Sequence, residues 1–138
     1  MITRALILAA GRGLRIGDHG GPNCVTPLGG RTLIERTLRL LDSIGIQKIA
    51  ITVGWKGAEL RHSIAASTEL RAGLKRELCV FDNPDWEKPN GISVLAARSF
   101  VTERTLLVMA DQIIAPTLLR ELVGQGSSGD RTDCLFRP

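Results

Sequence analysis

"RALILAAGRGLRI", residues 4–16, decides how the rest of the chain is read. From Ala5 to Ala10 it is an apolar run without alternation, the pattern of a strand buried on both faces. The run opens directly onto "GRGLRIGDHGGPNCVTPLGG", residues 11–30, a glycine-rich stretch with neither helical nor strand periodicity. Glycine has no side chain and accepts positive φ, so a phosphate can come close to its backbone N–H groups. Gly11 and Gly13 stand where the strand ends, and Arg15 adds a planar, permanently charged fork for phosphate oxygens. A solvated surface turn accounts for the same residues, and the loop alone leaves both readings open.

Beyond the loop, short apolar runs alternate with longer periodic ones. "TLIERTLRLLDSIG" (32–45) predicts a helix, with Leu33, Ile34, Leu38 and Leu41 at helical spacing. Thr32 and Glu35 have capping-box spacing, and Gly45 supplies a left-handed stop. "QKIAITVG" (47–54) predicts a strand, "KGAELRHSIAAS" (56–67) a helix, and "RELCVFDNP" (76–84) a strand ended by Asn83-Pro84. "GISVLAARSFV" (91–101) predicts a helix and "RTLLVMAD" (104–111) a strand. "APTLLRELVGQG" (115–126) predicts a helix with Pro116 in its first turn, and the tail 130–138 is a candidate for a further strand.

Regular alternation of strand and helix predicts a three-layer α/β/α fold around a mainly parallel, Rossmann-like sheet. Right-handed crossovers then gather the carboxyl ends of the strands at one edge, where open α/β sheets bind ligands. The loops at that edge are 8–30, 54–56, 82–91 and 111–115, and they hold most of the unusual chemistry. Asp111 ends an apolar strand there. A hard carboxylate at that place suits Mg²⁺, and a helix cap or turn residue ahead of Pro116 is the other reading. His19 lies in the glycine loop, where it reads either as a phosphate contact or as a solvated residue. Trp55 and Trp86 fall in edge loops and are expected to pack as core or lid, while His62 is expected on a helix surface.

Composition narrows the function classes. A chain of 138 residues, 43% hydrophobic and 23% charged, is expected to fold as one domain with a real core. The three cysteines, Cys24, Cys79 and Cys134, have neither CxxC nor zinc spacing and read as buried free thiols. The net charge of +4 is spread along the chain and there is no tyrosine, so nucleic acid is not an expected partner. No apolar run approaches the length of a membrane span or a signal-peptide core, and a cytoplasmic location is expected.

Two glycine motifs are absent. The Walker loop needs Gly-Lys-Ser/Thr after four intervening residues. The dinucleotide fingerprint needs a third glycine at position 16, a helix opening at once and an acid after the second strand. This chain has Gly17 instead, a first helix near residue 32, and Thr52-Val53-Gly54-Trp55 at the end of the second strand.

"ALILAAGRGLRI" followed by "PNCVTPLGGRTLIERTL" resembles the amino-terminal signature of the sugar-1-phosphate nucleotidyltransferase superfamily, the MobA-like NTP transferases. "FDNPDWEKPNGISVLAA" and "LLVMADQII" look like the inositol-1-phosphate and phosphocholine cytidylyltransferase branch. The resemblance covers residues 3–123 and treats 1–138 as one nucleotide-binding domain. It implies that the backbone of Leu8, Ala9, Ala10 and Gly11 lies against base and ribose, and that Gly13 and Arg15 hold the triphosphate. Asn90, Gly91 and Ser93 would help fix the nucleoside, and Asp111 would bind Mg²⁺. The implied reaction is attack of a phosphorylated alcohol or sugar phosphate on the α-phosphorus of a nucleoside triphosphate, CTP favoured, with loss of pyrophosphate. The implied partners are that triphosphate and acceptor, with self-association as a further expectation.

Two departures accompany the resemblance. The family pattern has a lysine where this chain has Asn23, a neutral residue at a position implied to be catalytic. The family's chains also continue further, into a half that carries the acceptor pocket, and that half is expected to be missing here. The rival expectation is a nucleotide-binding or regulatory module of the same fold without transferase activity.

Overall fold

The apolar run at the start of the chain becomes an inner strand. The computed structural model describes residues 1–13, 21–67 and 76–125. Arg4–Ala9 (β1) lies between Lys48–Val53 (β4) and Thr105–Met109 (β6), with Glu77–Asp82 (β5) outside β4. All three pairings are parallel, with Ile7 level with both Ile51 and Val108. Between β1 and β4 the chain adds a two-residue pair, Pro27–Leu28 (β2) with Arg31–Thr32 (β3), and the helix Leu33–Ser43 (α1). Gly57–Ala66 (α2) follows β4, Asn90–Ala96 (α3) follows β5, and Pro116–Gln125 (α4) follows β6.

A strand buried on both faces needs helices on both faces, and the side chains of β1 divide accordingly. Ala5, Ile7 and Ala9 pack with Ile34, Leu38 and Leu41 of α1, Leu60 and Ile64 of α2, and Leu119 and Val123 of α4. Leu6 and Leu8 point the other way, into a smaller cluster with Ala50, Ala97 and Phe100. The sheet with helices on both faces is therefore a three-layer α/β/α domain.

Local chemistry sets the boundaries. The capping box at α1 forms as spaced: the Glu35 N–H donates to Thr32 Oγ1 at 3.3 Å, and the Thr32 N–H donates to Glu35 Oε2 at 2.9 Å. That second bond is the main reason the Glu35 carboxyl is held below its ordinary pKa. Gly45 stops the helix at φ +89°. The turn between β2 and β3 uses Gly29 and Gly30 at φ +59° and +81°, the two positive values that a two-residue hairpin requires. Arg36 of α1 clips this hairpin down by donating from Nε to the Leu28 carbonyl at 3.0 Å. α3 is shorter than the helix expected over 91–101. After Ala96 the chain tightens, with Arg98 donating to Leu95 and Phe100 to Ala97 in three-residue turns, and this carries Phe100 into the smaller cluster. The candidate strand at 130–138 lies outside the described residues.

Candidate functional site

Strand order places the site. From β1 the chain moves outward through β4 to β5, then returns to the other side of β1 as β6. The order reverses between β1 and β6, and such a reversal leaves a crevice beyond the carboxyl ends of the strands. The glycine loop leaves β1 on one side of that crevice, and Asp111 follows β6 on the other. The two ends are tied by the Ala110 N–H, which donates to the Leu8 carbonyl at 3.0 Å. On the opposite flank the Trp55 N–H donates to the Ala10 carbonyl at 2.9 Å.

These bonds sort the residues expected to meet base and ribose. Leu8, Ala9 and Ala10 are buried, with the Leu8 and Ala10 carbonyls already bonded to neighbouring segments. Gly11 is exposed, and a Cβ placed on it would meet nothing within 4 Å. Gly13 differs: at φ +64°, a Cβ would run into the Asn23 amide. Gly54 is equally constrained, since a Cβ there would lie 2.8 Å from the Ala10 carbonyl oxygen and against Trp86. Arg15 and His19 lie outside the described residues.

Asn23 opens a short 3₁₀ turn, Asn23–Val25, and is 5% exposed. Its Nδ2 donates to the Gly13 carbonyl, so the side chain binds one end of the glycine loop to the segment that follows it. A longer side chain at this position would enter a buried site. Cys24 next to it is buried and its thiol is pushed up to about 12, chiefly by burial and further by the charge of Asp111. Asp111 itself is half-buried, and the residue that precedes α4 is Ala115, whose carbonyl accepts from Leu118 at 3.1 Å. Asp111 is thus not the cap of that helix. Among the described residues no three His, Cys, Asp or Glu side chains cluster to hold a metal. A single carboxylate suits Mg²⁺, which keeps most of its shell for water and phosphate oxygens.

The third loop is built on a buried polar network. Asn83 Nδ2 donates to Ser93 Oγ at 2.9 Å, and Thr52 Oγ1 donates to the Ser93 carbonyl at 3.1 Å. Asn83 Oδ1 accepts the Asp85 N–H at 2.9 Å, closing the turn after β5. Thr52, Asn83 and Ser93 are all at most 4% exposed. Ser93, expected to help fix the nucleoside, is buried and its hydroxyl oxygen accepts from Asn83, while Asn90 and Gly91 at the start of α3 are exposed at the edge. In the sequence Asn83 is legible only as a strand stop. The Asn-Pro-Asp spelling of an Asx turn was the available signal for its amide, and Thr52 had none.

Trp55 carries two cations: Arg12 Cζ lies 5.5 Å and Lys56 Nζ 5.0 Å from its ring centroid. His62 is exposed on α2, as expected. Cys24 is buried and Cys79 half-buried, both free thiols, while Cys134 lies outside the described residues. No helix among the described residues is long and apolar enough to cross a membrane.

A strand-order reversal flanked by the start of a glycine-rich stretch and by a carboxylate is the place where open-sheet α/β domains bind ligands. Residues 5–136 match the MobA-like NTP transferase domain, and the chain belongs to that family. It is 38% identical over 121 residues to a bifunctional IPC transferase and DIPP synthase of Rubrobacter xylanophilus, covering 86% of this chain and 26% of that protein. It is 33% identical over 123 residues to the CMP-5'-(3-aminopropyl)phosphonate synthase of Streptomyces rubellomurinus, covering 87% of this chain and 19% of that protein. Its fold is similar to that of the inositol-1-phosphate CTP transferase of T. maritima, with a TM-score of 0.71 at 21% identity over 88% of this chain and 48% of the other. The chain thus spans about a quarter or less of the length of these two curated relatives, and about half of that solved structure.

Proposed function

We propose that the chain binds a nucleoside triphosphate, CTP in preference to others, and takes part in transfer of CMP to a phosphorylated small-molecule acceptor with release of pyrophosphate. The observation that carries this reading is the juxtaposition of the glycine loop and Asp111 across the reversal between β1 and β6. In the proposal the exposed backbone at Gly11 lies against base and ribose, beside the buried floor formed by Leu8, Ala9 and Ala10. Gly13 and Arg15 serve the phosphates. Asn90 and Gly91 face the nucleoside, and Ser93 holds their helix in place from inside. Asp111 is the residue that would hold Mg²⁺, which supplies charge neutralisation to phosphate oxygens when bound. Transfer of this kind needs no covalent intermediate, so positioning and electrostatics carry it. A cytidine nucleotide is favoured because the phosphonate synthase is named for CMP and the T. maritima enzyme for CTP.

One observation favours a second reading, a nucleotide-binding module without transferase activity. Asn23 stands where the resemblance has a lysine, and its amide is engaged with the Gly13 carbonyl. The deciding experiment incubates the chain with each nucleoside triphosphate, Mg²⁺ and a panel of phosphorylated alcohols, and measures pyrophosphate. Release that depends on both CTP and one acceptor supports transfer. Tight CTP binding in calorimetry without release, across the panel, supports the binding module. Absence of nucleotide binding overturns both.

A further inference from the structure

α3 is held in place by polar contacts more than by apolar ones. It has seven residues, Pro89 ahead of it makes no side-chain cap, and its one buried residue is Ser93. A helix this short gains little from its own backbone and takes its position from what it packs on. Two strands supply that hold. Thr52 of β4, level with Leu8 of β1 and Phe81 of β5, donates from Oγ1 to the Ser93 carbonyl at 3.1 Å. Asn83, just after β5, donates from Nδ2 to Ser93 Oγ at 2.9 Å, while its Oδ1 accepts the Asp85 N–H. The Asn83 N–H donates to the Val53 carbonyl at 2.7 Å, so this turn is fixed to the end of β4 as well. The start of the glycine-rich stretch is fixed to the same strand end. The Trp55 N–H holds the Ala10 carbonyl, and a Cβ on Gly54 would meet the Ala10 carbonyl oxygen at 2.8 Å and Trp86 Cβ at 2.5 Å. The end of β4 is therefore the common frame for Gly11 on one side and for Asn90 and Gly91 on the other.

We infer that Thr52 and Asn83 are positioning residues for base discrimination: through Ser93 they fix where Asn90 and Gly91 stand, and neither touches the ligand. The inference rests on the nucleotide reading given under the proposed function. Neither Thr52 nor Asn83 is more than 2% exposed, so a bound nucleotide has no access to them. Asn90 and Gly91 are exposed, and less than one helical turn separates them from Ser93, so a shift at Ser93 is carried to them. Hydrogen bonds are directional, and a helix tied by them on two sides has a defined position along and about its axis. Cytosine and uracil differ by an amino group against a carbonyl oxygen. Telling them apart needs donors and acceptors held to within about half an ångström.

Calorimetry with CTP and UTP on the whole chain tests this, with urea unfolding measured alongside. Thr52→Val removes the hydroxyl and keeps a β-branched side chain of similar size. Thr52→Ser keeps the hydroxyl, and Ser93→Ala is the second disrupting variant should Thr52→Val fold poorly. Wild type is expected to prefer CTP. Thr52→Val and Ser93→Ala are each expected to weaken CTP by about fivefold, the worth of about one net hydrogen bond, and UTP by less, so that the preference narrows. Thr52→Ser is expected to recover the preference. A role confined to stability lowers the urea midpoint and leaves the CTP-to-UTP ratio of the folded protein as in wild type; that result overturns the inference. A preference lost as fully in Thr52→Ser as in Thr52→Val overturns it too, because the hydroxyl is then not what matters. If wild type binds CTP and UTP equally, nucleotide binding stands and the inference falls. If wild type binds neither, both fall.

Discussion

Replacing Gly11 by alanine separates the ligand from the fold. A Cβ at this position meets nothing within 4 Å among the described residues, and its φ lies outside the left-handed region. The folded state therefore accommodates alanine, and the loss of unfolded-chain freedom is expected to raise stability by about 0.4–1 kcal/mol. The nucleotide is the one thing expected to need that open space. A methyl group forced against a closely packed ligand costs about 1–3 kcal/mol by analogy with overpacked cores, roughly a five- to 150-fold loss of affinity. The assay pairs urea unfolding with CTP titration for wild type and Gly11→Ala. The expected signature is opposite signs: a protein at least as stable as wild type that binds CTP at least five times more weakly. If Gly11→Ala binds CTP as wild type does, the nucleotide does not approach the backbone at this residue. If it unfolds more easily, the space around Gly11 is not open, and the structural premise is wrong.

Gly54→Ala is the converse case: its methyl would press on the Ala10 carbonyl at 2.8 Å, and the expected loss in urea unfolding is about 1–3 kcal/mol, with a loss below 0.5 counting against the geometry. Thr32→Ala should cost about 1 kcal/mol by removing the cap of α1. Because the Glu35 carboxyl is lowered, its contribution is present above the ordinary carboxylate range and lost as pH falls through the folded value. The stability gap between wild type and Glu35→Gln should therefore narrow as pH falls below the ordinary glutamate range. Asp111→Asn should abolish any Mg²⁺-dependent tightening of CTP binding at unchanged stability, and identical titrations with and without Mg²⁺ in both proteins would reduce Asp111 to a structural residue. Asn23→Lys should lower stability, because a charge enters a site that is 5% exposed; a variant of wild-type stability that binds CTP more tightly would show that position 23 faces the phosphates after all.

Legibility in the sequence followed the range of the interaction. The strand at 4–9 and the helix at 33–43 are written in neighbouring residues, in an apolar run and a capping box, and both formed within a residue or two of expectation. The parallel sheet was readable from alternation, and with it the edge to which Gly11, Asn90 and Asp111 come. The Gly29-Gly30 hairpin carries a local signal in its two adjacent glycines. Other features were not legible, because they depend on partners far away in sequence. The Asn23 amide reaches Gly13 ten residues back, and the partners of Ser93 are Asn83, just after β5, and Thr52 on β4. The early end of α3 is of the same kind, since Phe100 is drawn to a cluster made by β1 and β4.

The Thr52–Ser93–Asn83 network has a consequence for how such sequences drift. Thr52 binds a backbone carbonyl, which any residue at 93 would offer, so it is insensitive to what replaces Ser93. Asn83 binds the Ser93 hydroxyl itself, and losing either member alone strands a buried polar group at a cost of about 1–3 kcal/mol. Asn83 also holds the Asp85 N–H, so a change at 83 loses the turn as well as its partner in Ser93. A change at 93 should therefore be relieved by one at 83 only where the new residue at 83 still accepts from Asp85, while position 52 varies independently of both.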